Sequence, residues 1–404
     1  MRRSLSNVGG AAETEGDRAS AEALRRALDV GPDEEAHRAH VHGFHTYAAR
    51  MHPVTAARLV EAFAPARGVV FDPFCGSGTV LVEAMLHGRD AIGTDLNPLA
   101  VHLARQKTRP REDAELEALM VTAREVAAQA DAKRKARAGA SRRYPEEDVR
   151  LFEPHVLLEL GSIRDAILET KPPARADLEL VLSAILVKLS RKRGDTSEKI
   201  EGRRIGAGYP ARLFVKKTEE LAHRLTEFRN KLPTQRPARV SVDIDDATKL
   251  ASLTRERHPR RPSCILTSPP YAATYDYVAH HALRMRWLGL DTRTFESGEM
   301  GARRRYTELD AREARRHWGA ELARFFDAAA RVLRPEAPMV LLLADSAVGK
   351  AALRANEIVA DVAPDHGFLP IARASQRRPH FHGPTSAAFR DAPRAEHALL
   401  LRRS

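Results

Sequence analysis

Hydrophobic positions along this chain change period where its polar loops fall, and those changes mark out the elements. Val69, Val70 and Phe71 form a short apolar run that predicts a buried strand, and residues 72–78 follow as a tight polar loop. Val80, Leu81, Ala84 and Met85 fall near helical spacing, so 79–87 predicts a helix. Ala91, Ile92 and Gly93 predict a second strand ending at Asp95. Val240, Val242 and Ile244 alternate as a third that ends in acids, and Cys264, Ile265 and Leu266 form a fourth, halted by Pro269 and Pro270. Further on, 325–333 predicts a helix, 339–344 a buried strand ending at Asp345, and 368–374 with 397–401 a closing antiparallel hairpin. Strands alternating with helices predict an α/β fold.

The pattern is interrupted in the middle. Residues 111–235 carry almost no strand signal, and helices are predicted near 112–135, 154–169 and 176–191. The chain therefore divides into 37–110 and 236–404, two halves of one strand-rich domain, around a helical insertion at 111–235. Residues 1–36 are small, polar and charged, which predicts a poorly ordered segment with a short helix at most. No internal repeat is present.

Two loops carry chemistry. In the first, Gly76 and Gly78 allow close backbone approach to a ligand, and the helix that starts at Thr79 offers unpaired N–H groups. Asp95, ending the next strand, is placed to accept hydrogen bonds from a ribose diol. A third glycine for a dinucleotide fingerprint would fall at Leu81, which argues against a nicotinamide cofactor. The second loop is Thr267-Ser268-Pro269-Pro270-Tyr271. Two prolines stiffen the strand end, so the Ser268 oxygen and a proline carbonyl can accept the two hydrogens of an exocyclic amine while Tyr271 stacks on its ring. A plain Pro-Pro turn is the alternative.

Together these motifs resemble the DNA amino-methyltransferases that use S-adenosylmethionine to modify exocyclic nitrogens of bases. The resemblance implies a Rossmann-like class I methyltransferase fold with a mostly parallel seven-stranded sheet. It also implies roles. Asp72, Phe74, Gly76, Gly78 and Thr79 would cradle the cofactor, Asp95 would hold its ribose, and Ser268, Pro269, Pro270 and Tyr271 form the catalytic signature in its serine form. Residues 45–53, with Tyr47, are similar to the family's segment over the methionine end. An acid at the third strand end would meet the adenine amine; Asp246 is the first choice and Asp245 the second, against a solvated acidic turn. The similarity covers most of 40–108 and 240–345 and leaves the insertion out.

Charge refines this picture. Lys and Arg number 66 against 54 acids, a formal +12 that suits a polyanionic partner. Ten of these cations fall between Lys188 and Lys217 against three acids, Asp195, Glu198 and Glu201. A flexible, glycine-containing basic loop is expected there, with Arg191, Lys192, Arg193, Arg203 and Arg204 as candidate nucleic-acid contacts. A second cluster runs from Lys133 to Arg143; the alternative for both is ordinary solvated surface. After the signature, Tyr275 and Tyr277 could flank an extruded base and Arg284 and Arg286 could meet phosphate, whereas Trp287 reads as core. His37, His40, His42, His45 and His52 match no standard zinc spacing, so no metal is expected.

Two cysteines, Cys75 and Cys264, make neither a disulfide framework nor a zinc site. With no run of eighteen apolar residues and no apolar stretch in the first ten, a cytoplasmic protein without a membrane segment is expected. The expected activity is methyl transfer from S-adenosylmethionine to the N4 amine of a flipped cytosine in DNA. A cognate restriction endonuclease would be a natural partner. Transfer to adenine N6, the same chemistry on RNA, or a nucleic-acid-binding module without catalysis are the alternatives.

Overall fold

In the computed structural model, which describes residues 10–31, 34–139, 142–195, 197, 199–379 and 383–404, the apolar runs become the strands of one central sheet. Its strands are β1 (Glu13–Gly16), β2 (Val69–Asp72), β3 (Asp90–Asp95), β4 (Val240–Ile244), β5 (Cys264–Thr267), β6 (Pro338–Ala344), β9 (Phe368–Arg377) and β10 (Ala395–Arg403); β7 (Ser346–Val348) and β8 (Ala351–Leu353) form a separate ribbon. The order is β1-β9-β10-β6-β5-β2-β3-β4. From β6 to β4 every pair is parallel, while β10 and β9 return antiparallel and β1 adds antiparallel to β9. Parallel strands covered on both faces read as continuous apolar runs, and β2 and β5 are buried at every position.

The order reverses between β2 and β5, since β3 and β4 extend one way and β6 the other. Open α/β sheets bind ligands at the carboxyl ends of strands beside such a reversal. Both sequence motifs sit there: Asp72 ends β2 and Ser268 follows β5.

The start of the chain departs from expectation. Within the segment 1–36, expected to be poorly ordered, residues 13–28 form β1 and a full helix, Arg18–Leu28, capped by Asp17, whose Oδ2 accepts from the Ser20 amide (3.0 Å). Ala21, Leu24, Ala27 and Leu28 are buried on one face and pack with Leu59, Val60 and the sheet residues Ala372 and Ala398. Long-range packing orders a stretch whose composition alone reads as too polar. The sheet therefore has eight strands and not seven. Residues 1–9 and 32–33 lie outside the described residues.

The insertion is helical as expected, with Asp113–Lys135, Glu146–Leu151, Pro154–Glu169, Ala174–Leu189 and Tyr209–Lys231. The last of these spans 23 residues and takes up Arg212, Lys216 and Lys217, which had been assigned to a loop. These helices share one apolar core with Leu99 and Leu103 of the first half and Leu283 and Met285 of the second. Arg111 pairs with Asp177 in the same interior. Among the described residues no helix is long and apolar enough to cross a membrane.

Leu24 is fully buried under the sheet. Its replacement by Ala should lower the unfolding free energy by about 2–5 kcal/mol in urea titration, the cost of a core cavity. A loss below half a kilocalorie would show that the N-terminal helix is only loosely attached.

Candidate active site

The glycine loop after β2 turns through two left-handed residues, Gly76 (φ 50°) and Gly78 (φ 84°), and the helix Thr79–Leu86 begins directly behind it. A side chain at Gly76 would start 3.3 Å from the Tyr47 ring, so that glycine also admits the aromatic cover above the loop. The Gly76 amide donates to Asp95 Oδ2 (2.8 Å) and the Asn97 amide to Asp95 Oδ1 (2.8 Å), fixing the carboxylate that ends β3. Asn97 then caps the helix Pro98–Lys107 and donates from Nδ2 to the Tyr47 hydroxyl (3.2 Å).

The two strand ends at the sheet reversal are joined directly. Thr267 Oγ1 donates to Asp72 Oδ1 (2.6 Å), and the same oxygen takes the Phe74 amide (3.1 Å). Burial pushes the Asp72 carboxyl up to about 7 and Asp95 up to about 6, in each case against the pull of these hydrogen bonds.

A cavity of about 620 Å³ opens over these groups. Seven residues singled out in the sequence line it: Tyr47, Phe74, Asp95, Asp246, Ser268, Pro270 and Tyr277. Asp72, Gly76, Gly78, Thr79 and Pro269 are not among its lining residues. Of the two candidate acids, Asp245 is turned inward to its own loop, accepting from the amides of Asp246 (2.8 Å) and Ser252 (2.7 Å) and the Ser252 hydroxyl (2.6 Å). Asp246 faces the cavity and is held by Thr248 and by Lys249 Nζ (2.9 Å).

A second cavity, of about 1220 Å³, adjoins the first. Tyr47 and Ser268 belong to both walls, and the second also holds Tyr271, Tyr275, Met51 and the C-terminal hairpin residues Arg378 and Glu396. The Tyr271 hydroxyl donates to Glu396 Oε1 (3.4 Å), and burial keeps the phenol well above its ordinary pKa, hence neutral.

Residues that sequence reasoning passed over complete the site. Phe295, Gly298, Glu299 and Met300 close the first cavity from a segment containing only a six-residue helix, Arg293–Gly298, too short for any periodic signal. Glu299 Oε1 accepts from the Tyr277 amide (2.6 Å). His281 stacks under Tyr47 (4.8 Å, 17°) and, more distantly, Tyr277 (6.3 Å, 18°), and burial lowers it to about 3, so it serves as a neutral ring.

Two expected phosphate contacts are structural. Arg284 is buried, donates to the Ser183 carbonyl (3.1 Å) and pairs with Asp195; Arg286 pairs with Glu147 (2.6 Å) and Asp148 (2.5 Å). Trp287 is core, with Nε1 donating to Asp148 (3.2 Å). A paired interior is why Arg284 does not face out, whereas Arg286 is part-exposed and committed to two carboxylates.

The basic loop is tied down, not free. Lys192 bridges Ile200, and Thr46 Oγ1 donates to Asp195 Oδ2 (2.8 Å), so the loop is fastened beside Tyr47. Arg193, Arg203 and Arg204 are exposed; Arg191 donates to the Arg150 carbonyl (3.2 Å) and Arg203 to that of Lys188. Glu198 lies outside the described residues.

Among the histidines, His40 and His42 meet Glu83 in the interior, with ligand atoms all within 4.8 Å of one another. His42 Nε2 and Glu83 Oε1 are 2.7 Å apart. Burial lowers His40 to about 3 and His42 well below its ordinary value, leaving both imidazoles neutral, and raises Glu83 to about 7. Arg50, Arg224, Lys107 and Lys231 surround the cluster, a field that opposes a dication.

Residues 29–106 match a family of N6/N4 type described as DNA methylase. The chain is similar to the Type II methyltransferase M.MvaI of Kocuria varians, at 41% identity over 78 residues, 19% of this chain and 17% of that protein. It is also similar to the Type II methyltransferase M.MjaII of Methanocaldococcus jannaschii, at 35% over 68 residues, 17% of this chain and 13% of that protein. The matches span only 17% and 13% of these relatives' own length, and the family match covers the glycine loop, Tyr47 and Asp95 without reaching Ser268. Among solved structures, the rRNA methyltransferase aviRa from Streptomyces viridochromogenes aligns over 94% of this chain and 96% of that one, at 14% identity and a TM-score of 0.36, too low to build on.

Asp72 gives the site a pH signature. In the unfolded chain its carboxyl ionises near the ordinary 3.8, whereas in the fold it does so at about 7. Its contribution to stability is therefore full below 3.8 and is lost as pH rises to about 7. Asp72→Asn keeps an oxygen acceptor for Thr267 without the charge, so its stability relative to wild type should climb between these pH values and level off above them. Urea titrations across the range measure this, and a wild type that gains on the variant with rising pH contradicts it.

Proposed function

We propose that this chain, which belongs through residues 29–106 to the N6/N4 DNA methylase family, is an S-adenosylmethionine-dependent DNA methyltransferase acting on the exocyclic N4 amine of cytosine. The observation that carries the reading is the shared wall: Ser268 and Tyr47 border both the cavity holding Asp95 and Asp246 and the cavity holding Tyr271. A cofactor on one side and a base on the other would meet at Ser268.

The first cavity fits the cofactor by its donor set. Asp95 is half-buried with lone pairs remaining beyond its two amide bonds, which suits a ribose diol; Asp246 suits an adenine amine; Phe74 and Phe295 supply apolar faces. Bound there, S-adenosylmethionine supplies an electrophilic methyl group on a sulfonium. The chain's own work is alignment. The Ser268 oxygen and a proline carbonyl would accept the two amine hydrogens, which favours a pyramidal nitrogen with its lone pair free for attack. Tyr271, neutral through burial, would bound the base, and the stiff Pro269-Pro270 backbone would hold these acceptors without reorganisation.

Cytosine is favoured over adenine by the serine form of the signature at Ser268, the form that the family resemblance associates with cytosine-N4 transfer. Net charge of +12 and the exposed Arg193, Arg203 and Arg204 support DNA as the partner. A cognate endonuclease would be its natural companion.

Mass spectrometry of nucleosides from DNA treated with the protein and S-adenosylmethionine should show N4-methylcytosine, and Ser268→Ala should remove most of it while leaving cofactor binding by calorimetry intact. N6-methyladenine alone, or a modified RNA base alone, would overturn the assignment. Replacing Arg193, Arg203 and Arg204 together by Ala should flatten the salt dependence of DNA binding, each lost phosphate contact lowering the log–log slope by about 0.9. An unchanged slope would leave these arginines as solvated surface.

A further inference from the structure

Resting on the proposed cytosine reading, we propose that Arg378 is a specificity-determining residue that donates to the two adjacent acceptors, ring N3 and carbonyl O2, of the target base. Arg378 follows β9 at the cavity end of the hairpin, where its amide donates to the Arg394 carbonyl (2.8 Å). Its side chain is 9% exposed and lines the second cavity with Ser268 and Tyr271. Arg378 Nε donates to Glu396 Oε2 (2.9 Å), and the other oxygen of Glu396 accepts from the Tyr271 hydroxyl (3.4 Å). The guanidinium is thereby joined through one carboxylate to the signature tyrosine. Its Nη1 is buried without a hydrogen-bond partner. A buried charged donor without an acceptor is costly, and one on the wall of a cavity is matched when a ligand brings the acceptor.

The ligand's chemistry follows from the surroundings. Tyr271 and Tyr275 give the cavity aromatic walls suited to a planar ring. Glu396 balances the charge of Arg378, and such a pair suits the neutral edge of a base better than a phosphate. Of the other arginines on this wall, Arg394 directs its Nε to the Asp345 carbonyl (2.8 Å) and Arg50 directs an Nη to the His37 carbonyl (2.8 Å). Next to its amine, cytosine presents N3 and then O2, both acceptors, which a guanidinium fork can engage together. Adenine presents N1 and then a C–H, so half of the fork would go unmatched. Arg378 thus selects between the two bases by a physical route separate from the identity of Ser268.

The test measures methylation of unmodified genomic DNA by the full chain and by R378M and R378K, with cofactor calorimetry and the salt dependence of DNA binding alongside. R378M is expected to lower the rate of N4-methylcytosine formation about tenfold or more. R378K should not restore it, because an ammonium is a point donor and not a fork. Cofactor affinity and salt slope should stay as in wild type. Wild-type protein offers an arm free of any folding defect: DNA carrying 3-deazacytosine, which lacks the N3 acceptor, should be methylated about tenfold or more slowly than cytosine DNA. Equal rates on the two DNAs, or full activity of R378M, overturn the proposal. So does a salt slope lower by about 0.9 in R378M, which marks a phosphate contact. Wild type forming only N6-methyladenine is a different failure, read on the unmutated protein, and it removes the proposed function together with the cytosine edge.

Discussion

The Thr267 hydroxyl on the Asp72 carboxylate is the contact on which the site's geometry depends. It joins the ends of β2 and β5, neighbouring strands that lie far apart in sequence, at the place where the sheet order reverses. With those ends tied, the glycine loop and Ser268 stand on opposite sides of one cleft. The same Asp72 oxygen takes the Phe74 amide and so sets the start of the loop. Burial makes the carboxyl reluctant to ionise, which shows how dry this junction is. A hydrogen bond in such surroundings is strong when made and costly when lost.

Around that junction the structure uses hydrogen-bonded polar groups as fasteners. Asp95 holds Gly76 and Asn97, Asn97 holds Tyr47, and Thr46 beside it holds Asp195 of the insertion, which in turn pairs with buried Arg284. The helical insertion is therefore coupled to the segment that covers the first cavity, through one buried ion pair and a shared apolar core. Arginines that look available for phosphate in the sequence are committed to this framework. Removing one partner of such a pair leaves an uncompensated charge in the interior, so these residues resist substitution for structural reasons.

The two cavities differ in what borders them. Parallel strand ends give the first its acids, while the second adds walls from Leu28 and Val30 at the end of the N-terminal helix and from the β9–β10 hairpin. The ordered N-terminal helix thus has a role beyond packing, since the residues just past it help to bound the space beside Tyr271.

Apolar periodicity by itself determined the parallel core strands, the glycine loop, the acidic strand end at Asp95 and the stiff turn at Ser268, because each is a local pattern that a few neighbouring residues impose. It also identified three helices of the insertion within a few residues, but not Tyr209–Lys231. Tertiary structure alone decided the rest. Order in residues 13–28 depends on burial of Leu24 under a sheet built from the other end of the chain. Asp245 and Asp246 differ only in which way the turn aims them. The fates of Arg284 and Arg286 were fixed by carboxylates well over fifty residues away, and Phe295 and Glu299 reach the cavity from a segment without periodicity. Local pattern sets what a stretch becomes, whereas partners distant in sequence set which side chains face the ligand, and no spacing rule encodes those partners.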